Sequence, residues 1–273
     1  MAGSPISSSL SPVLHRAAYE ALGLDWGYDA HDVDVAGLPA FLAGLRRPPW
    51  RGLSLTMPLK QAVVADCASL SDQARQVRAV NTLVVDPDGR LEGSNTDVPG
   101  LVAAWQEAGV GTVEHAVVLG GGATARSAVA ALAQVGATRV SVLTRAPQRA
   151  GGVASLAQEL ELSADVSPLS AARALATVDL LVSTVPLPAQ PALLSDEGLA
   201  ELVGRAAAVF DVGYGPDESP LLRLAREAGV PCADGFAMLL HQATLQVELM
   251  TGLRPAPLEA MRSAGLAALS APG

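Results

Sequence analysis

Apolar and polar positions follow two different patterns along the chain, and the change falls near residue 100. Before that point, short runs typical of strands alternate with helical stretches. The strand-like runs are 26–33, 51–57 and 79–85, and the helical stretches are 37–46 and 59–67. An earlier segment, "SPVLHRAAYEALG", has apolar residues at helical spacing. We expect Ser11 to cap this helix, Pro12 to lie in its first turn and Gly23 to end it.

Beyond residue 100 the strands become apolar on both faces. The segment "HAVVLGGGATARSAVAALAQVGATRVSVLTR" indicates a strand, a glycine turn, an alanine-rich helix and a second strand. Further apolar strands are expected at 179–184 and 207–212, between helical runs, and the tail from Phe236 indicates two helices. Such strands are typical of a parallel sheet that is covered on both faces.

The glycine turn lies directly between a strand and a helix. Gly120, Gly122 and Ala125 satisfy the pattern G-x-G-x-x-A, which lets backbone N–H groups at a helix N-terminus approach a pyrophosphate. The alternative is a tight turn that binds nothing. We favour a dinucleotide site and predict a two-domain α/β protein. Residues 101–237 form a Rossmann-type, doubly wound parallel sheet, and residues 1–100 form an α/β domain that the C-terminal helices, 238–273, complete.

The strand after the turn indicates which dinucleotide fits. An NAD site usually carries Asp or Glu about 20 residues beyond the turn. Here the strand ends in Thr144 and Arg145, Arg149 follows, and no acidic residue occurs from 115 to 158. Guanidinium groups suit the 2′-phosphate of NADP(H), which a carboxylate would repel. We therefore predict NADP(H) as the cofactor; the alternative is that both arginines merely face solvent.

Composition limits the classes of partner. Half of the residues are hydrophobic and 16% are charged, which predicts a large core. The net charge of −9 disfavours nucleic acid and anionic membranes. Neither the two cysteines nor the four histidines have metal-ligand spacing, so we expect no metal. We find neither a signal-peptide pattern nor an apolar stretch of membrane-spanning length, and expect a cytoplasmic protein.

Polar residues stand out at three places in the first hundred residues. Thr56 and Lys60 flank Pro58, Asn81 interrupts an apolar strand candidate, and Asp97 lies in "GSNTDVPG" before a helix. Lys60 is the only lysine, and the other 17 basic residues are arginines. An ammonium can exchange a proton during a reaction, whereas a guanidinium effectively cannot. Lys60 is therefore a candidate acid–base group, although Asp97 could merely cap a helix and Asn81 could merely satisfy a backbone group.

Ordered blocks of sequence, spread over nearly the whole chain, resemble shikimate dehydrogenases. The family pattern G-x-P-I-x-H-S-x-S-P is similar to "GSPISSSLSP" at 3–12, and N-V-T-x-P-x-K is similar to "SLTMPLK" at 54–60. "AVNTL", "NTD" and the glycine turn match the family directly. The segment 144–149 resembles its N-R-T-x-x-[KR] phosphate clamp, and "DVGYGP" and "DGFAMLLHQA" resemble its remaining blocks.

Four departures from the family pattern leave the suspected acid–base pair intact. Ser8 replaces a histidine, Ser54 an asparagine and Ala237 a glycine, and Ser183-Thr184-Val185 replaces Asn-Ala-Thr.

The resemblance implies roles for individual residues. Lys60 and Asp97 are expected to be catalytic, with the ammonium donating the proton and the carboxylate holding it in place. The implied substrate-binding residues are Ser9, Ser11, Thr56, Lys60, Asn81, Asp97, Tyr214 and Gln242, of which Ser9 and Ser11 would bind the ring carboxylate. The implied cofactor-binding residues are Gly120, Gly121, Gly122, Ala123, Thr124, Ala125, Thr144, Arg145, Arg149, Ser183, Thr184, Val185, Val212, Gly235 and Met238.

The resemblance also implies a reaction, the NADPH-dependent reduction of 3-dehydroshikimate to shikimate in chorismate and aromatic amino-acid synthesis. We expect small-molecule ligands, no nucleic acid or membrane partner, and a monomer or homodimer. One alternative is a quinate/shikimate dehydrogenase that uses NAD, which the arginine pair disfavours. Others are a non-catalytic sensor and an NADP-binding scaffold, which would not need the four polar groups Lys60, Asn81, Asp97 and Gln242 together.

Overall fold

The chain divides into two compact units in the computed structural model, which describes residues 1–6, 9–47, 49–215 and 217–271. Unit 1 comprises Met1–Asp97 with Leu239–Gly273, and unit 2 comprises Val98–Met238. Ser8, at which the sequence departs from the family pattern, lies outside the described residues.

Two small sheets lie in unit 1. Its strands are β1 (Ala2–Gly3), β2 (His31–Asp32), β3 (Gly52–Ser54), β4 (Ser69–Leu70), β5 (Thr82–Val85) and β6 (Leu91–Ser94). β1 and β2 pair in parallel, and the other four follow the order β3-β5-β6-β4. β5 runs antiparallel to β3 and β6, and Leu53, Leu83 and Leu91 from these three strands belong to one buried apolar core.

Unit 2 contains a six-stranded sheet in which every pairing is parallel. Its strands are β7 (His115–Leu119), β8 (Arg139–Thr144), β9 (Ser163–Pro168), β10 (Leu180–Ser183), β11 (Val209–Asp211) and β12 (Cys232–Ala233). The order β12-β11-β10-β7-β8-β9 reverses between β7 and β10. Ligands of such sheets bind beyond the carboxyl ends of the strands at this switch point. The predicted Rossmann-type α/β fold class is confirmed.

Helices connect the strands. They are α1 (Ser11–Ala21), α2 (Leu38–Leu45), α3 (Leu59–Ala62), α4 (Asp72–Val77), α5 (Asp97–Glu107), α6 (Ala123–Gln134), α7 (Gly151–Glu159), α8 (Gln190–Leu194), α9 (Glu197–Val203), α10 (Pro220–Glu227), α11 (Phe236–Thr251) and α12 (Leu258–Ser270). Short 3₁₀ helices occur at Val63–Asp66, Pro147–Arg149, Leu169–Ala174 and Leu187–Ala189. Within the described part of the chain, no helix has both the length and the apolar character needed to cross a bilayer.

The predicted first helix is present, but its start differs. Pro12 lies in the first turn and Gly23, with φ of +68°, follows the end, as expected. Ser11 does not cap the helix, because Leu10 occupies the N-cap position and Ser11 already lies within the first turn. Further along, His15 is fully buried; its Nδ1 bonds to Ser11 O at 2.9 Å and its ring stacks on Tyr28 at 4.0 Å.

The three strand-like runs of the first hundred residues all form shorter strands than the sequence pattern suggests, and 51–57 is a strand only at Gly52–Ser54. The run 26–33 forms a strand only at His31–Asp32, because its partner β1 is itself two residues long. Asn81 lies one residue before β5 and not within a strand. Its backbone still bonds as an extension of the sheet, since its N–H donates to Ser94 O at 3.1 Å and its carbonyl accepts from the Leu55 N–H at 2.7 Å.

Candidate active site

Lys60 and Asp97 form a buried ion pair in unit 1. Lys60 lies in the short helix α3, and Asp97 is the first residue of α5. Lys60 Nζ lies 2.6 Å from Asp97 Oδ2, and the two side chains are 13% and 4% exposed. The carboxylate lies at a helix N-terminus, where negative charge is favoured. An ammonium held in this way can release and regain a proton while its counter-charge stays in place.

Asn81 holds the other oxygen of the same carboxylate. Its Nδ2 donates to Asp97 Oδ1 at 2.8 Å and to Thr96 Oγ1 at 2.9 Å. Its Oδ1 accepts from the backbone N–H of Thr96 at 2.8 Å. The backbone N–H of Asp97 donates to Asn95 Oδ1 at 3.1 Å. Asp97 is therefore fixed by the lysine, by the asparagine and by its own turn.

Helix α11 adds Gln242 to this group. Gln242 Oε1 accepts from Asn81 Nδ2 at 3.3 Å, and Gln242 Nε2 donates to Leu239 O at 2.8 Å. One hydrogen-bonded group thus contains Lys60, Asn81, Asp97 and Gln242, which come from four separate blocks of the sequence.

Unit 1 also contains the other predicted substrate ligands, Ser9, Ser11 and Thr56. Ser9 Oγ and Ser11 Oγ are 3.3 Å apart, so the two hydroxyls can face one ligand group. Thr56 is half-buried just beyond β3, and its N–H donates to Ala2 O at 3.0 Å. Among the described residues, no side-chain hydrogen bond joins these three residues directly to the Lys60–Asp97 pair. The structure thus brings Ser9 and Ser11 together. Thr56 directly follows Leu55, whose N–H donates to the backbone carbonyl of Asn81.

In unit 2 the glycine turn lies at the switch point of the sheet. Gly120 has φ of +113°, and a Cβ there would lie 2.4 Å from Thr184 Oγ1, so glycine is required. Gly122 is the N-cap of α6, and no side chain among the described residues caps that helix. The N–H groups of the first turn, Ala123 to Ala125 with Thr124 between them, therefore have no side-chain acceptor there, which fits a pyrophosphate. Gly121 leaves space for Ala150, whose Cβ would lie 2.9 Å from an added Cβ.

The predicted phosphate-clamp residues lie at the end of the next strand, β8, and just beyond it, with Arg149 in the 3₁₀ helix Pro147–Arg149. Thr144 ends β8, and its Oγ1 accepts from the Ala146 N–H at 3.4 Å. Arg145 and Arg149 are exposed, and no acidic side chain in the described ranges pairs with either. Both guanidinium groups are thus available to an anionic ligand.

The end of β10 lies beside the glycine turn. Ser183 is buried and registers with Leu119, the last residue of β7. Thr184 Oγ1 donates to Leu119 O at 2.8 Å, and the Val185 N–H donates to Ser183 Oγ at 3.4 Å.

Beyond β11, Val212 and Gly235 approach each other closely. A Cβ at Gly235 would lie 2.0 Å from Val212 O, so no larger residue fits. Tyr214 is half-buried on the following loop, and it lines a cavity of about 290 Å³ with Leu187 and other residues of unit 2. Met238 is 7% exposed in the first turn of α11.

A buried polar cluster at the start of that loop was not predicted from the sequence. Asp211, fully buried at the end of β11, accepts from Ser219 Oγ at 2.5 Å, Gln190 Nε2 at 2.6 Å and the Gly213 N–H at 3.0 Å. Burial raises the pKa of Asp211, and the hydrogen bonds oppose that shift. The cluster anchors both ends of the loop that carries Tyr214. The signal in the sequence was a lone carboxylate at the end of an apolar strand.

A second missed group lies around Ser54, which stands where the family pattern has asparagine. Ser54 is 3% exposed, and its hydroxyl accepts from Tyr28 OH at 2.6 Å and donates to Gln246 Oε1 at 2.8 Å. The single hydroxyl proton of Ser54 is therefore donated within unit 1. The signal was Gln246, a polar residue one helical turn after Gln242 in a largely apolar helix.

Unit 2 has the strand order and the glycine turn of a dinucleotide-binding protein, and unit 1 supplies a lysine–carboxylate pair suited to proton transfer. Together they define a nicotinamide-dependent oxidoreductase.

Comparison with known proteins identifies the family. The profile of the shikimate dehydrogenase substrate binding domain matches residues 1–83, and that of the shikimate 5′-dehydrogenase C-terminal domain matches residues 235–264. The shikimate dehydrogenase (NADP(+)) of Methylobacterium radiotolerans is 42% identical over 93% of this chain and 90% of that protein. The chain belongs to the shikimate dehydrogenase family, which confirms the resemblance seen in the sequence.

Solved structures agree with this assignment. The crystal structure of Mycobacterium tuberculosis shikimate dehydrogenase has a TM-score of 0.83 and 37% identity, with 97% of each chain covered. The Thermus thermophilus enzyme, in complex with NADP(H) and shikimate, has a TM-score of 0.82 and 36% identity, with 98% of each chain covered.

Proposed function

We propose that this chain is an NADP-dependent shikimate dehydrogenase that interconverts 3-dehydroshikimate and shikimate. The observation that carries the proposal is the Lys60–Asp97 pair, 2.6 Å apart and tied to Asn81, in a chain of this family. Among known structures, the Thermus thermophilus enzyme binds both NADP(H) and shikimate.

Lys60 is the proton donor in the reduction. A ketone that accepts a hydride develops negative charge on its oxygen, and an adjacent ammonium stabilises that charge and protonates it. Bound NADPH supplies the hydride. Asp97 keeps Lys60 in place through Oδ2, while Asn81 occupies Oδ1 and so prevents the carboxylate from rotating.

The remaining polar groups of unit 1 hold the substrate ring. Ser9 and Ser11 bind the ring carboxylate, since two hydroxyls 3.3 Å apart can both donate to one carboxylate. Thr56 and Gln242 bind ring hydroxyls, and Tyr214 of unit 2 is a further substrate ligand that the family resemblance implies. Asn81, whose two Nδ2 protons go to Asp97 and Thr96, acts on the ring through Asp97. We do not assign Ser54 to the ring, because it is 3% exposed and its hydroxyl bonds at short distance to both Tyr28 and Gln246. Unit 1 is accordingly the substrate domain.

The residues of unit 2 fit NADP(H). The turn at Gly120 is too close to Thr184 for any side chain, and the first turn of α6 has no side-chain cap among the described residues. These features leave backbone N–H groups for the pyrophosphate. Arg145 and Arg149 would hold the 2′-phosphate, and Gly235 and Met238 would contact the nicotinamide. Unit 2 is accordingly the cofactor domain.

We also infer a cytoplasmic location. Cys67 and Cys232 are both free thiols, as is usual in a reducing compartment.

A substrate and cofactor panel tests the proposal. Purified protein is assayed for oxidation of shikimate and of quinate, each with NADP and with NAD, by the near-ultraviolet absorbance of the reduced nicotinamide. We expect the highest kcat/KM for shikimate with NADP. Activity that is higher with NAD, or higher with quinate, would favour a quinate/shikimate dehydrogenase, and no turnover with any pair would contradict the enzyme assignment.

A further inference from the structure

A chain of buried hydrogen bonds ends at Asn81 Oδ1, the amide atom of Asn81 that does not contact Asp97. It starts at Tyr28, whose OH donates to Ser54 Oγ at 2.6 Å, and it continues from Ser54 Oγ to Gln246 Oε1 at 2.8 Å. Gln246 Nε2 donates to Thr82 Oγ1 at 3.1 Å, and Thr82 Oγ1 donates to Asn81 Oδ1 at 2.9 Å. We call these five side chains the Tyr28–Asn81 chain. The first four are 7%, 3%, 2% and 0% exposed, in the order Tyr28, Ser54, Gln246 and Thr82.

A backbone carbonyl fixes the direction of the chain. Gln246 Nε2 lies 3.1 Å from Asn81 O, which can only accept a hydrogen bond. If the Gln246 amide were reversed, two carbonyl oxygens would face each other at that distance. Gln246 Oε1 must therefore face Ser54, and the amide nitrogen must face Thr82.

Thr82 continues the same donor-to-acceptor direction toward Asn81. Because Gln246 donates to Thr82 Oγ1, the single hydroxyl proton of Thr82 is left for another acceptor. Two oxygens lie within reach, Asn81 Oδ1 at 2.9 Å and Thr96 Oγ1 at 3.5 Å, and the shorter contact is much the stronger. Asn81 Oδ1 thus accepts two short hydrogen bonds, from the Thr82 hydroxyl and from the Thr96 N–H, and the Thr96 hydroxyl lies farther away at 3.3 Å.

The consequence concerns Asp97. With both acceptor positions of Asn81 Oδ1 filled, the amide plane of Asn81 is fixed, and its Nδ2 points at Asp97 Oδ1. If the Asn81 amide were turned, its oxygen would face the Asp97 carboxylate. Repulsion between the two negatively polarised groups disfavours that arrangement. We infer that Thr82, supported by Gln246, is a positioning residue that acts through Asn81 on the Lys60–Asp97 pair. This inference rests on the proposed function.

Replacing Thr82 tests the inference. Thr82→Val removes the hydroxyl and keeps the β-branched shape on β5, and Thr82→Ser keeps the hydroxyl as the matched control. We expect Thr82→Val to lower kcat about tenfold, the worth of roughly one buried hydrogen bond, with a smaller change in the KM for shikimate. Thr82→Ser is expected to stay within about threefold of the wild type.

A second background separates positioning from general damage. If Thr82 acts through Asn81, then Thr82→Val causes no further loss of kcat in an Asn81→Ala protein. Unchanged kcat in Thr82→Val would overturn the inference, whether or not the free energy of unfolding falls. So would a Thr82→Ser variant as impaired as Thr82→Val, or losses that multiply in the Asn81→Ala background.

Wild-type turnover is measured first, so that the two proposals fail separately. A wild-type protein without shikimate turnover contradicts the proposed function, whereas an active wild type with an equally active Thr82→Val variant contradicts only the positioning role. A crystal structure of Thr82→Val gives a readout that needs no activity. We expect the Asn81 amide to be turned or to adopt two conformers, and an Asn81 amide unchanged against Asp97 would overturn the inference.

Discussion

Replacing Lys60 has two separate effects that can be measured independently. Lys60→Met keeps an unbranched apolar stem and removes the ammonium. Because Asp97 is 4% exposed and its Oδ2 lies 2.6 Å from Nζ, the variant leaves a buried carboxylate without its counter-charge. Breaking such a pair costs about 3–5 kcal/mol in the free energy of unfolding. We expect the lower end, about 3 kcal/mol, because Asn81 still donates to Oδ1 and Lys60 is itself partly exposed. Loss of the proton donor should lower kcat by about 10² to 10⁴.

The double variant Lys60→Met/Asp97→Asn separates the two effects. It removes the unpaired carboxylate, so most of the lost unfolding free energy should return, while kcat should remain at or below that of Lys60→Met. Urea denaturation and initial rates at saturating shikimate and NADP measure the two quantities. Recovery of kcat together with stability would refute the reasoning, because the single variant would then have lost activity through destabilisation. A near-wild-type kcat in Lys60→Met would remove Lys60 from the chemistry.

Two further expectations concern cofactor choice and acid stability. Replacing Arg145 and Arg149 by alanine should raise the Kd for NADP(H) by at least about tenfold, because charge-assisted hydrogen bonds to the 2′-phosphate are lost. The Kd for NAD(H) should stay within about twofold. Calorimetric titration with both cofactors measures the two constants, and an equal loss of affinity for both would contradict a phosphate clamp. Burial lowers the pKa of His15 to about 3, with the nearby N-terminal charge adding to the shift and the Ser11 hydrogen bond opposing it. The unfolded chain therefore binds this proton below about pH 6.5 while the folded chain does not, so stability is lost as pH falls from there toward 3. Between pH 7 and pH 4 the wild type should lose about 3 kcal/mol more unfolding free energy than His15→Leu, as measured by urea denaturation, and identical pH dependence in the two proteins would show that His15 is not buried in this way.

Features that depend on local sequence could be predicted. The glycine turn needs no distant partner, because its spacing and its flanking apolar strands are contiguous, and the apolar strands beyond residue 100 predicted the parallel sheet. Lys60 stood out through composition, as the single lysine among 18 basic residues. The ordered blocks then indicated the family, which the comparisons confirm.

Features that depend on packing between distant segments could not be predicted. The hydrogen bond from Ser54 to Gln246 joins residues 192 positions apart, and nothing near Ser54 in the sequence indicates a glutamine partner. Ser11 suits an N-cap by residue type, but Leu10 takes that position. The run 26–33 has strand-like alternation, yet strand length was set by the two-residue partner β1, which pattern alone cannot reveal.

A crystal structure of the protein with shikimate and NADP⁺ tests the central claim most directly. We expect Lys60 Nζ within hydrogen-bond distance of the ring hydroxyl that is oxidised, with Asp97 still paired to Lys60 and the 2′-phosphate held by Arg145 and Arg149. Shikimate bound with that hydroxyl out of reach of Lys60, or a 2′-phosphate without contact to either arginine, would contradict it.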